Sequence, residues 1–103
     1  MRTDWKKKLR HIPSKVHIAP KVYYDVMYQK EILDTKGNHL YGFTDLDSKI
    51  IAIKMDMSPK LTVETFFHEC CHAFSEEHKL GLTENQVLNM EGILPYLDGL
   101  FGK

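Results

Sequence analysis

The chain has 103 residues, 43% of them hydrophobic and 27% charged, the balance of one globular domain with a modest core. Fourteen basic and fourteen acidic residues cancel, and no apolar run approaches the length needed to cross a bilayer. Only two cysteines occur, adjacent at Cys70 and Cys71, where divergent side chains give a disulfide no workable geometry; we expect reduced core thiols.

Residues 1–13 form a basic arm or short helix. Trp5, Leu9 and Ile12 recur at i, i+4, i+7 before Pro13 stops the pattern. Residues 1–30 carry eight Lys or Arg against two Asp, whereas residues 31–103 carry six basic and twelve acidic residues. Arg2, Lys6, Lys7, Lys8, Arg10 and Lys15 therefore offer a nucleic-acid contact, although a short basic arm is more commonly just solvated. No apolar stretch of a secretory leader follows Lys8, so we expect a cytoplasmic protein without a membrane partner.

Residues 14–57 read as a small antiparallel sheet of three to four strands. Val16 and Ile18, then Val22, Tyr24, Val26 and Tyr28, alternate with more polar neighbours around the bend Ala19-Pro20-Lys21. Turn clusters at Asp34–Asn38 and Asp45–Ser48 frame a strand near Leu40–Thr44 and another over Lys49–Met55. Ser58-Pro59 then starts a helix over residues 58–80, closed by Gly81, with Phe67, Cys70, Cys71 and Phe74 on its apolar side. Thr83 caps a second helix over residues 83–101. Strands followed by helices predict an α+β fold.

The first of these helices carries His68-Glu69-Cys70-Cys71-His72. In a helix, i and i+4 project from one face, so the two imidazoles can hold one zinc ion, Zn2+. Glu69, beside the first ligand, can reach an activated water without binding the metal, as a general base must. The competing reading is a buried helix with two surface histidines and an exposed glutamate.

A catalytic zinc site takes three protein ligands. Glu91 comes first on geometry, because a return helix of equal length brings it back beside His72. Glu84 lies two turns earlier. His78 has the spacing of the third histidine in longer motifs of this type, but Ser75 stands where those have a glycine. These three alternatives stay open. Candidate donors to an oxyanion are His78, Tyr96 and Tyr41.

The His68–His72 motif, with Ala73, a short connection and a second helix bearing Glu84 and Glu91, resembles small gluzincin-type metallopeptidases. It is similar especially to compact phage and prophage proteins related to the ImmA/IrrE and SprT-like groups. Tyr41-Gly42-Phe43-Thr44-Asp45, a turn, Ile50-Ile51-Ala52-Ile53 and then the helix resemble the strand, turn, strand and active-site helix order of those proteins. The likeness spans roughly residues 14–101. It implies a minimal zincin fold in which the sheet packs on an active-site helix and a C-terminal helix. It also implies zinc on His68, His72 and a downstream acid, with peptide or protein substrates hydrolysed by a monomer. The departures are the lack of a clear signature around the third ligand and of any histidine after His78. The alternative function is a catalytically silent zinc-binding regulator that works through protein contacts or, by its basic arm, on nucleic acid.

Overall fold

The computed structural model describes residues 4–79. It begins with helix α1, Trp5–Arg10, capped by Asp4, whose carboxylate accepts the Lys7 N–H at 3.0 Å. Trp5, Leu9 and Ile12 turn inward against the core, the face their spacing predicts. Strands β1, Lys15–Ala19, and β2, Val22–Gln29, form a hairpin whose turn places Lys21 in left-handed backbone at φ 62°.

Residues 30–41 cross the end of the sheet. Asp34 organises them by accepting the N–H groups of Lys36 and Asn38 at 2.8 and 2.9 Å. Those backbone donors, Asn38 first, hold its carboxyl below the usual carboxylate range. Strand β3, Gly42–Asp45, and strand β4, Ile50–Lys54, then make a second hairpin. Its turn is closed by the Asp45 carboxylate, which accepts from Asp47 and Ser48, both at 3.1 Å.

The sheet order is β1-β2-β4-β3, and β2 and β4 run parallel. The expected antiparallel sheet is therefore corrected to a mixed one. Alternation of apolar residues shows which side chains share a face, but it carries no strand direction. β4 lies between β2 and β3, and Ile51, Ala52 and Ile53 are all buried, as suits an interior strand. The long connection after β2 makes that possible by delivering β3 to the outer edge first.

Helix α2, Pro59–Glu77, starts where the sequence indicates, with Ser58 Oγ accepting the Leu61 N–H at 3.2 Å and Pro59 in the first turn. It ends at Glu77, short of the expected residue 80. His78 caps it, and Lys79 takes the left-handed conformation, φ 54°, that stops a helix. Gly81, the helix over 83–101, and with them Glu84, Glu91 and Tyr96, lie outside the described residues.

Two helices thus pack on a four-stranded sheet, an α+β arrangement. Tyr24, Ile51 and Ile53 from the sheet meet Val63, Phe66 and Phe67 from α2, all buried. At about 25 cal/mol per Å² of apolar surface, such large side chains dominate the packing energy. Phe74, expected on the apolar side of the helix, is 42% exposed and lies against His78, with ring centroids 4.1 Å apart and planes tilted by 33°. On the opposite sheet face, Tyr23, Met27 and Phe43 are exposed. No helix among the described residues is long and apolar enough to cross a membrane.

Candidate metal centre

Midway along α2, His68 and His72 lie one turn apart on the same side and are half-buried. Their Nε2 atoms lie 3.0 Å from each other, with ring centroids 4.7 Å apart and ring planes at 73°. Zinc sits about 2.0–2.1 Å from imidazole nitrogen, so tetrahedral ligands lie roughly 3.3 Å apart. The separation here is close to that value, and neutral imidazole is an apt donor for zinc. The pair fits the ion as two of its ligands.

Among the described residues no third His, Cys, Asp or Glu completes a cluster with them. His78 is drawn elsewhere: its Nε2 donates to the Ile18 carbonyl at 2.9 Å and ties the end of α2 to β1. Of the three candidates for the third ligand, then, His78 is engaged away from the pair, and Glu91 and Glu84 fall outside the described residues. Neither cysteine joins the pair either. Cys71 is buried, and burial foremost pushes the Cys70 thiol well above its usual range, so that it stays protonated.

Glu69 is 7% exposed, against the reading that would leave it on the surface. A buried carboxylate requires hydrogen-bond donors. Thr44 Oγ1 supplies one at 2.7 Å from Glu69 Oε1, and lies 3.1 Å from the Glu69 carbonyl oxygen. Gly42, two residues earlier on the same face of β3, brings the strand close. A Cβ there would stand 2.6 Å from Thr65 Cγ2 and 3.1 Å from Glu69 Cγ.

No protein-family model, curated protein or solved structure matches this chain. Two grooves of about 330 and 340 Å³ run between β3 and α2. Leu40, Gly42, Leu61 and His68 line one; Gly42, Phe43, Thr44 and His72 line the other, and Glu69 opens onto both. Tyr41, 60% exposed, stands on the wall of the first. The edge strand and the Glu69 carboxylate thus border both grooves, with one imidazole in each.

Gly42 and Thr44 are the site residues that motif reasoning missed. Their alternation places both on the α2 side of β3, and a glycine inside a strand often marks close approach of another element.

Proposed function

We propose that this chain is a zinc-dependent peptidase, with His68 and His72 as metal ligands and Glu69 as general base. The observation that carries the reading is the convergence of two Nε2 atoms to 3.0 Å beside a buried carboxylate, in a cleft bounded by an edge strand. A closed structural zinc site has no use for such a carboxylate or for the open cleft. Glu91 is the third ligand in this proposal, and Glu84 its competitor.

Bound zinc supplies Lewis-acid polarisation and lowers the pKa of water from about 15.7 to about 7. The chain's own residues do the rest. Glu69 accepts a proton as water attacks the peptide carbonyl carbon, and returns it to the nitrogen as the C–N bond breaks. β3 pairs only with β4 among the described strands, so its outer edge can hydrogen-bond an extended peptide across the cleft. The substrate class is thus a peptide or unfolded protein segment.

Metal analysis and peptide hydrolysis on the same preparations test this. About one zinc per chain is expected in the wild type, with loss on His68→Ala or His72→Ala. Glu69→Gln should keep zinc and lower kcat by about 10²–10⁴-fold. Retention of zinc by both histidine variants removes the metal site. Full hydrolysis by Glu69→Gln removes the base and leaves a zinc-binding protein of another kind.

A further inference from the structure

We infer that Thr44 is a positioning residue for the Glu69 carboxylate, so that the strand offered to the peptide also sets the aim of the base. The inference rests on the peptidase reading. Thr44 projects from β3 toward α2, where Oγ1 lies 2.7 Å from Glu69 Oε1 and 3.1 Å from the Glu69 carbonyl oxygen. A hydroxyl has one hydrogen to donate. The shorter contact, to the acceptor that carries charge, is the stronger one and claims it.

Glutamate has three side-chain torsions, and the last of them, which sets the carboxylate plane, is broad. Pinning Oε1 fixes that plane and hence the direction of the second oxygen. The hydroxyl is itself held firmly: Thr44 is paired with Ile51 of β4, the most deeply buried strand. A peptide added to the outer edge of β3 takes its position from that same strand. Substrate carbonyl and base are then referred to one rigid element, which meets the demand for sub-ångström placement in a proton transfer.

Thr44→Val deletes the hydroxyl while keeping shape and β-branching. The test measures kcat, KM and zinc content with internally quenched peptides for wild type, Thr44→Val, Thr44→Ser, Glu69→Gln and Thr44→Val/Glu69→Gln. Thr44→Val should lower kcat about 10- to 100-fold with KM and zinc unchanged. Thr44→Ser should restore most of the rate. In the Glu69→Gln background Thr44→Val should cost nothing further, because there is no base left to aim.

An unchanged kcat in Thr44→Val overturns the inference. So does an equal loss in both backgrounds, or an effect confined to KM. If Thr44→Val does not fold, Thr44→Ala against Thr44→Ser carries the same comparison. Hydrolysis that depends on Glu69 but ignores Thr44 removes this inference alone, whereas a zinc-loaded wild type that hydrolyses no peptide removes the peptidase reading with it.

Discussion

Helix α2 holds two carboxylates against the sheet in the same way, and the two differ in what surrounds them. Glu69 accepts from the Thr44 hydroxyl at 2.7 Å, and Glu77, two turns on, accepts from the Tyr24 hydroxyl at 2.6 Å. Glu77 is also paired with the Lys49 ammonium, which lies 5.5 Å from the centre of the Tyr24 ring. That group is closed: cation, anion and phenol satisfy one another, and the helix end is anchored. Glu69 instead opens onto two grooves beside a pair of metal-competent imidazoles. The same hydroxyl–carboxylate contact fastens one end of the helix and, in the proposed function, aims a base in the middle. What separates them is the neighbour each carboxylate keeps.

Exchanging the charge at each end is the most severe way to break this contrast. Glu69→Gln should abolish most hydrolysis, about 10²–10⁴-fold, and leave the urea midpoint nearly unchanged. Glu77→Gln should do the reverse, lowering the midpoint while hydrolysis by the folded fraction persists. If Glu77→Gln proves as damaging to kcat as Glu69→Gln, the division of labour is wrong.

A smaller effect is expected at Gly42. Its missing Cβ lets β3 approach α2, and Gly42→Ala forces a methyl to within 2.6 Å of Thr65 Cγ2. Overpacking of this kind costs about 1–3 kcal/mol, and the displaced strand should weaken hydrolysis as well. Urea titration and peptide kinetics on one preparation measure both. A neutral result on stability means that β3 yields, and that its spacing from the helix is not fixed.

The smallest effect is in acid. Lys49, and after it Tyr24, hold the Glu77 carboxyl below its ordinary range. A group with a depressed folded-state pKa stabilises the fold above its unfolded pKa and loses that contribution as pH falls through the folded value. Wild-type stability should therefore decline from roughly pH 5 downward more steeply than that of Glu77→Gln. Parallel curves would mean that the anchor carries no proton linkage. Tyr24, whose phenol burial raises well above its usual range, should remain the donor throughout.

Much of this molecule was legible one residue at a time. Ser58 and Pro59 announce the start of α2, the turn cluster at Asp34 announces its loop, and the four-residue spacing of His68 and His72 commits their rings to one side of a helix. These are consequences of local geometry, which a few neighbouring residues determine by themselves. The end of α2 was not legible, because His78 is claimed by the Ile18 carbonyl, sixty residues away in sequence. Phe74 misled for a related reason: helical period gives a direction, but whether that direction is buried depends on where α1 and the sheet lie.

The sequence by itself determined where the described strands and helices begin, the alternation of apolar residues along them and the helical register that brings two imidazole nitrogens together. Only the tertiary structure decided that β4 would lie parallel to β2 inside the sheet, that β3 would become the edge beside the cleft, and that Thr44 would meet Glu69. Period and capping act over a turn of chain. Strand order and the burial of a carboxylate are settled by competition for the interior among segments far apart in sequence, and no single segment carries that outcome.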